Sequence, residues 1–402
     1  MDRVPAERRH NYESYARTGF CGVVNGRVEA TSEARERIWD EWVAFCEDLR
    51  VPPYLDGLDF SAIVTVATMF GGKLRQGKRG RPVSAGTVRA GLGGVATTIA
   101  LDTGEQPLHQ KDGQHYIKPV QYMLAGFKNF DPAVEKKLAC GPDLPHFACE
   151  WAHRPGTGPQ QQAIGDLIVI AYYYLLRVGE YTTKLRRKKK KRTRQFRAKD
   201  VTFFRCNSYG DLVPLRRNAT ASEILSADAA TLRISNQKNG HAGACVHHSA
   251  IEDATLVCPV RAVGRQYLHI REHGGRRWNQ ALLCSYWDHV GKGNVTDGTI
   301  RYAVKHAVRM LDYPARGIPI SRTDTHSLRS GGACALKLAG YGETEIKKMG
   351  RWAPNSQAFL EYIQQQLSTF SAGMATAMSR IARFLNLEGT TTADDPRAST
   401  IH

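Results

Sequence analysis

The feature that most constrains the fold of this chain is an Asn-Gly pair, Asn239-Gly240, that lies between two short β-like runs. The runs are Thr231–Ser235 and Ala244–His247. An Asn-Gly pair in this position is the strongest short-range signal for a β-hairpin, because both residues tolerate the positive φ that a tight turn requires. Elsewhere the apolar residues repeat mostly at helical spacing. The sequence therefore predicts a mainly α fold with a small antiparallel β-sheet, an α+β architecture.

The helical pattern falls into two groups, separated by a Pro- and Gly-rich stretch over Asp131–Gly158. The first group is predicted to contain four helices: one from Ser32, then Leu58–Leu74, one from Ser84, and Ile117–Phe130. The second group is predicted at Gln160–Gly179, Pro259–His273, Asp297–Leu311, His326–Gly340, Thr344–Met349, Ser356–Ser368 and Ala372–Leu387, with a further strand at Val201–Phe204.

The length of 402 residues exceeds what one ordinary small core needs, so two domains are expected. The predicted bounds are a loose N-terminus over 1–30, a helical domain over 31–134 and a second domain over 135–387. A polar tail over 388–402 is expected to be disordered.

The formal net charge is +18, and this excess favours a polyanionic partner, since Lys and Arg release condensed counterions from nucleic acid. Eleven Lys and Arg residues and no acid fall between Lys184 and Lys199. A block this dense predicts an exposed loop. Its alternatives are a solvated loop, a contact with the DNA backbone, and a nuclear localisation signal. The candidate DNA-binding residues are Lys73, Arg75, Lys78, Arg79 and Arg81 in an earlier basic loop, Arg186, Arg187, Lys188, Lys189, Lys190, Lys191 and Arg192 in this block, and Arg351.

The nine cysteines show no CxxC spacing, which predicts buried thiols in a reducing compartment. Cys245-Val246-His247-His248 has no second ligand cluster at zinc-like spacing, so these residues are assigned to a strand and no metal site is predicted. The N-terminus has no apolar signal core, and the longest apolar run, Asp166–Leu176, is too short to cross a bilayer. These features predict a soluble intracellular protein with no membrane contact.

The residue types for phosphoryl transfer occur in order along the second group. Transfer of a phosphodiester builds negative charge on its non-bridging oxygens, and arginine can grip two such oxygens at once. Arg177 ends an apolar helix, and His326 and Arg329 share one face at the start of a predicted helix. The alternative for each arginine is a surface or salt-bridged residue, and the alternative for His326 is a histidine at a helix start that is satisfied by its neighbours. Glu180 is expected to orient this cluster and not to act as a catalytic acid.

Three further residues complete the set. Lys238 lies at the mouth of the predicted hairpin, where a lysine is usually solvated but is also a plausible general acid. Trp352 follows a glycine-bounded turn and is either a packing residue or an N–H donor to phosphate. Tyr362 lies on a predicted amphipathic helix and is the candidate nucleophile, the alternative being a core tyrosine.

This ordered set, Arg177, Lys238, His326, Arg329, Trp352 and Tyr362, resembles the active site of the tyrosine recombinases, the phage-integrase family. The resemblance covers roughly residues 135–385. The basic insert and the Gly-Arg-Trp turn look more like recombinases of eukaryotic mobile elements, such as Cryptons and DIRS-like elements. The N-terminal helices resemble the core-binding, SAM-like DNA-binding domain in general form. One departure is that ten residues separate Trp352 from Tyr362, about one more than in many members.

The resemblance implies a site-specific recombinase or integrase that needs neither a metal nor a cofactor. Tyr362 would attack the scissile phosphate held by the arginines, giving a 3′-phosphotyrosine, and Lys238 would protonate the leaving 5′ oxygen. The implied partners are double-stranded DNA and three further copies, a homotetramer on paired sites. The implied location is the nucleus if the host is eukaryotic. Two alternatives remain, a type IB topoisomerase-like relaxing enzyme and a domesticated DNA-binding protein that does not cleave.

Overall fold

The computed structural model describes residues 14–15, 17–18, 29–77, 80–132, 137–184, 194–235, 243–252 and 256–356. In these residues the chain is mainly helical, with one four-stranded antiparallel sheet and one two-stranded ribbon. The predicted fold class is therefore confirmed. Within the described residues, no helix is long and apolar enough to cross a membrane.

Four helices form the N-terminal part over residues 29–132, of which 78 and 79 are not described. They are α1 (Glu29–Leu49), α2 (Phe60–Gln76), α3 (Ala85–Thr103) and α4 (Lys118–Asn129). Asp59 and Ser84 cap α2 and α3 through their side chains, which accept backbone N–H bonds from the first turn. The apolar faces of the four helices meet in one core around Trp42, Phe70 and Leu92.

The C-terminal part contains eight helices and six strands among the described residues. The helices are α5 (Asp143–Ala152), α6 (Pro159–Tyr173), α7 (Val178–Tyr181), α8 (Ala221–Leu225), α9 (Pro259–His273), α10 (Asp297–Met310), α11 (Thr325–Leu338) and α12 (Glu343–Gly350). The strands are β1 (Val201–Cys206), β2 (Leu212–Pro214), β3 (Ala229–Arg233), β4 (Cys245–Ser249), β5 (Ser285–Asp288) and β6 (Gly291–Asn294).

The larger sheet has the strand order β2-β1-β3-β4, and all its pairings are antiparallel. Thr231 of β3 lies opposite His247 of β4, so the two runs predicted to form a hairpin do pair. Asn239-Gly240 itself lies outside the described residues. The strand assignment of the Cys245–His248 segment is confirmed.

A separate core holds the C-terminal part together. Helix α6 is buried from Ala163 to Tyr172 and packs against α5, α9 and α11. This second core extends from Cys140 to Leu328 and shares no residue with the core around Trp42. The domain bounds drawn from the sequence stay a prediction.

One predicted element is wrong, and other elements were not predicted. The helix predicted over Gln160–Gly179 ends at Tyr173, and a new short helix begins at Val178. The Pro- and Gly-rich stretch over Asp131–Gly158 contains α5, which was not predicted and whose buried residues include Leu144 and Cys149. The ribbon of β5 and β6 was not predicted either, because half of the residues of β6 are glycines and leave no alternating pattern.

Candidate functional site

A reversal of the backbone at Leu175 creates the centre of the site. Leu175 is fully buried and has a φ of 49°, in the left-handed region that side chains other than Gly rarely adopt. The turn ends α6 and leaves the Leu175 carbonyl outside any helical ladder. Arg329 Nη1 and Arg351 Nη2 both donate to that carbonyl, the latter at 3.2 Å. Two charged donors on one oxygen offset the cost of about 1–2 kcal/mol for the left-handed conformation.

Arg177 and Glu180 form the next part of the site, at the start of α7. The Arg177 backbone N–H donates to Glu180 Oε2 at 2.9 Å, and Arg177 Nη1 donates to Glu180 Oε1 at 3.4 Å. The Glu180 side chain is 1% exposed, whereas the Arg177 side chain is 33% exposed. The carboxylate is therefore fixed inside the protein and the guanidinium reaches the surface. Arg177 precedes a short helix and does not end the long one, contrary to the prediction.

The beginning of α11 brings His326 and Arg329 to the same place. Asp324 caps the helix, since its Oδ1 accepts a hydrogen bond from the His326 N–H at 2.8 Å. Gly331 and Gly332 let α11 approach the end of α6 closely. An added Cβ would collide with the Cys140 carbonyl at the first glycine and with the Tyr172 carbonyl at the second. The close approach carries Arg329 inward.

Arg329 is almost fully buried, with 2% of its surface exposed. Its Nη1 donates to the Leu175 carbonyl and its Nη2 to the Gly350 carbonyl. Its guanidinium carbon lies 4.2 Å from the centre of the Trp352 ring, a cation–π contact. Trp352 thus packs on an arginine of the site, as well as being a candidate donor to phosphate.

Arg351, which the sequence predicts to be a DNA-binding residue, is buried in the structure. Its side chain is 5% exposed, and Nη2 donates to Glu180 Oε2 at 3.0 Å. Nε and Nη1 are buried and have no hydrogen-bond partner among the described residues. Burial lowers the pKa of Arg351, Glu180 opposes the shift, and Arg177 adds to it. The residue belongs to the interior of the arginine cluster.

His326 stays exposed at the edge of the cluster. The surrounding protein lowers the pKa of His326, and the positive charge of Arg329 lowers it further. Asp324 acts in the opposite direction, and Arg177 contributes a smaller lowering effect. The imidazole is therefore biased toward its neutral form, which can accept a proton or a hydrogen bond.

The structure thus brings Arg177, Glu180, His326, Arg329 and Trp352 together, as their order in the sequence predicts. Lys238 and Tyr362 lie outside the described residues, so their roles stay predictions. The same is true of Lys78, Arg79 and the basic residues Arg186–Arg192. Arg351, which the sequence assigned to a different role, joins the cluster.

The described tyrosines close to the cluster are poorly suited to attack a phosphate. Tyr172, Tyr174 and Tyr181 are buried, and burial raises the pKa of each phenol. Tyr174 also donates its hydroxyl to the Ala230 carbonyl at 3.2 Å. A buried phenol with a raised pKa ionises less readily than a free one. Tyr172, Tyr174 and Tyr181 are therefore poor candidates for the nucleophile.

The basic residues around the earlier loop have unequal positions. Lys73 and Arg81 are exposed, and Lys73 Nζ lies 5.0 Å from the Phe45 ring centre. Arg75 is instead paired with Asp131 and donates to the Val83 carbonyl at 2.5 Å. Its charge is already satisfied within the protein, so Arg75 stabilises the loop and the structure does not favour it as a DNA contact.

A basic cleft that the sequence did not reveal lies at the end of β3. It has a volume of about 360 Å³, and Lys199, Arg217 and Arg233 line it together with Asp200. Both Asp200 oxygens already accept hydrogen bonds, Oδ2 from the Arg197 N–H at 2.8 Å and Oδ1 from Ser235 Oγ at 3.3 Å. None of the three cations has an ion pair with a carboxylate in the described segments. The cleft is suited to an anion.

One group of described residues has the spacing of a metal site, namely Cys149, His153 and Asp166. Arg265 already occupies the space between them. Its Nη2 donates to Asp166 Oδ1 at 2.5 Å and lies 3.6 Å from Cys149 Sγ. Burial raises the pKa of the Cys149 thiol to about 12, which opposes the thiolate that a metal needs. These residues form a buried ion-pair network that does not fit a metal.

Comparison with known proteins gives matches in structure but not in sequence. No protein-family model and no curated protein matches the chain. Among solved structures, the Tn1549 transposon integrase in complex with transposon right-end DNA is 15% identical, with a TM-score of 0.39, over 82% of this chain and 87% of that chain. The XerH site-specific recombinase bound to palindromic difH substrate is 15% identical, with a TM-score of 0.44, over 80% and 74% of the two chains.

The XerA recombinase is 14% identical, with a TM-score of 0.34, and the match covers 87% of this chain and all of that chain. All three TM-scores lie below 0.5.

Proposed function

We propose that this protein is a site-specific tyrosine recombinase that breaks and rejoins double-stranded DNA. The observation that carries the proposal is that Arg177 and Glu180, from one part of the chain, lie close to His326 and Arg329, from a distant part. Together with Arg351 the cluster contains three arginines and two carboxylates, Glu180 and Asp324, so its net charge is positive. Such preorganised charge stabilises the oxygens of a phosphate in the transition state.

The proposed reaction begins with attack of the Tyr362 phenol oxygen on the scissile phosphorus. A bond forms between this oxygen and phosphorus, the bond to the 5′ oxygen breaks, and Lys238 gives the leaving oxygen its proton. Arg177 and Arg329 hold the non-bridging oxygens, and His326 takes or shares the phenol proton. A 5′ hydroxyl from a partner strand then reverses these steps. The 3′-phosphotyrosine conserves the bond energy, so neither ATP nor a metal is required.

The basic cleft supports a DNA substrate independently of the cluster. Its three cations have no described carboxylate partner, and its lining includes Ser235 and Gly243, between which Lys238 lies in the sequence. A phosphate of the DNA backbone bound there would hold the duplex close to the proposed general acid. Phosphate contacts of this kind fix position and register without selecting a sequence.

The finer features of the proposal concern assembly and origin. We propose a homotetramer on two paired sites, because strand exchange needs a cleaved strand on each duplex. The dense basic run over Arg186–Arg192 suits both backbone contact and nuclear import. It supports assignment to a eukaryotic mobile element of the Crypton or DIRS type, with action in the nucleus.

The test is covalent trapping on nicked suicide substrates made from the DNA that flanks the gene. Wild-type protein should form an adduct that survives denaturation, in EDTA and without ATP. Tyr362→Phe should bind the same DNA without forming the adduct, because only the phenol oxygen is removed. Arg177→Ala and Arg329→Ala should each reduce the cleavage rate by about 100-fold or more, the scale for loss of a preorganised donor.

Three results would contradict the proposal. These are an adduct that persists in Tyr362→Phe, a strict requirement for magnesium, and wild-type protein that binds DNA but never forms an adduct. Relaxation of supercoiled DNA without a specific site would instead identify a topoisomerase.

A further inference from the structure

Arg351 occupies an unusual place for an arginine at a helix end. It follows Gly350, the last residue of α12, and has a φ of 57°, in the left-handed region where Gly or Asn is normally found. Its backbone N–H closes the helix by donating to the Lys347 and Lys348 carbonyls. A glycine would end the helix with less strain. The arginine side chain therefore has a function beyond termination of the helix.

The side chain joins the two halves of the arginine cluster through a single nitrogen. Arg351 Nη2 donates to Glu180 Oε2 at 3.0 Å and to the Leu175 carbonyl at 3.2 Å. Glu180 Oε2 also accepts the Arg177 N–H at 2.9 Å, and the Leu175 carbonyl also accepts Arg329 Nη1. The two acceptors that Arg351 holds are thus the same two acceptors that orient Arg177 and Arg329.

The charges around Arg351 also indicate that its side chain has a function within the arginine cluster. Two arginines, Arg177 and Arg351, pair with one carboxylate, Glu180, and two buried nitrogens of Arg351 have no hydrogen-bond partner among the described residues. A buried cation left partly unpaired is destabilising by itself. Glu180 thus pairs with Arg351 at 3.0 Å and with the Arg177 guanidinium at the longer distance of 3.4 Å.

We propose that Arg351 is a positioning residue for phosphoryl transfer, and that it sets the orientation of the Arg177 and Arg329 guanidinium groups through Glu180 and the Leu175 carbonyl. This inference rests on the proposed function, since it assigns to Arg351 a part in the same site. It does not require Arg351 to touch the phosphate.

The experiment compares Arg351→Met and Arg351→Lys with Lys348→Met as the matched control. Lys348 is exposed and precedes Arg351 by three residues, at the end of the same helix. Cleavage is measured in a single turnover at saturating DNA. One substrate has a normal scissile phosphodiester, and the other has a methylphosphonate, in which a methyl group replaces one charged non-bridging oxygen.

On the normal substrate, Arg351→Met should reduce the cleavage rate by about 100-fold, the effect of a displaced catalytic group, with DNA affinity within about twofold of wild type. On the methylphosphonate, the ratio of the wild-type rate to the Arg351→Met rate should be smaller by about tenfold or more, because a less charged phosphate depends less on well-placed arginines. Arg351→Lys should recover part of the rate, since it keeps the charge but not the fork. Lys348→Met should behave as wild type.

Equal defects of Arg351→Met on both substrates would overturn the proposal and leave only a structural role. Full activity of Arg351→Met would overturn it as well. If Arg351→Met does not fold, the same comparison of substrates is made with Arg351→Lys.

A second measurement separates this proposal from the proposed function. Orthovanadate, a phosphate-like anion, should raise the Tm of wild-type protein, and it should do so much less for Arg351→Met and for Arg177→Met. Wild-type protein that responds to orthovanadate but never cleaves DNA would contradict the recombinase proposal alone. An equal response of wild type and Arg351→Met would contradict the role of Arg351 alone.

Discussion

Glu180 shows how one buried residue can organise the cations around it. Its two carboxylate oxygens accept bonds from the Arg177 backbone, the Arg177 guanidinium and Arg351. A buried carboxylate without such partners would be strongly destabilising, so the arrangement is fixed by the need to pair it. The same need holds the partly exposed Arg177 side chain beside this carboxylate.

The titration of His326 provides a test at the scale of single residues. Its pKa is lowered by the surrounding protein and by Arg329 and Arg177, so the ring should be neutral at pH 7 and become charged only at lower pH. Because the unfolded chain binds this proton more readily, the contribution of His326 to stability should fall as the pH decreases through its ordinary value of about 6.5. Arg177→Met removes a nearby positive charge and should therefore raise the pKa of His326.

The measurement is an NMR titration of the ring signals, with the His326 signal assigned from its loss in His326→Gln. Arg309→Met is the control, because Arg309 lies exposed at the end of α10 and is not among the causes of the His326 shift. A His326 midpoint at or above the ordinary value would contradict the prediction. An equal change of the His326 pKa in Arg177→Met and Arg309→Met would also contradict the prediction.

At the scale of elements, the site depends on how closely α11 packs against the end of α6. Gly331 and Gly332 allow this approach, and the left-handed Leu175 turns its carbonyl toward the arginine that α11 carries. The predicted continuous helix through residue 179 would have kept that carbonyl in its own ladder. The break in the helix is thus the feature that makes an acceptor available to Arg329 and Arg351.

Gly332→Ala should therefore be destabilising, since the added methyl group would collide with the Tyr172 carbonyl and the Leu175 side chain. We expect a loss of about 1–3 kcal/mol in the free energy of unfolding, as for overpacking of a core. Gly126→Ala in α4 is the matched control, because nothing lies within 4 Å of its added Cβ. It should be neutral or stabilising by up to about 1 kcal/mol. The free energy of unfolding of both variants is measured in urea. Similar losses in the two variants would show that close packing at Gly332 does not cause the destabilisation.

At the scale of the whole molecule, the excess of positive charge is concentrated in a few places. One is the run over Arg186–Arg192, and another is the cleft formed by Lys199, Arg217 and Arg233. The two places are close in sequence, but only the cleft combines residues from three separate segments. Folding thus brings together a second group of cations besides the one that the local composition shows.

Replacing the three cleft cations by Ala should weaken the binding of all DNA sequences alike, because phosphate contacts carry no sequence information. Each lost contact should reduce the slope of log affinity against log salt concentration by about 0.9. The slope is measured by fluorescence anisotropy on two unrelated duplexes, with Arg309→Ala as the control. An unchanged slope in the triple variant would exclude the cleft from the DNA-binding surface, and a change on one duplex only would point to recognition of sequence.

The sequence by itself determined the fold class and the membership of most of the cluster. Apolar residues at helical spacing predicted nine of the twelve helices from α1 to α12, because periodicity is a local property that each segment carries alone. The spacing of His326 and Arg329 places them on one helical face for the same reason. The sequence did not predict α5, which lies in a Pro- and Gly-rich stretch, the short helices α7 and α8, or the strands β2, β5 and β6.

Only the tertiary structure decided what the arginines touch. Arg351 reaches an acceptor 176 positions earlier in the chain, and Arg329 reaches the same carbonyl across 154 positions. No local pattern encodes such contacts, since they follow from the packing of α11 and α12 against the end of α6. The left-handed turn at Leu175 and the cleft of Lys199, Arg217 and Arg233 likewise arise only when distant segments meet. The sequence thus specifies which charged groups are present, and packing decides which of them share a carboxylate, a carbonyl or a cleft.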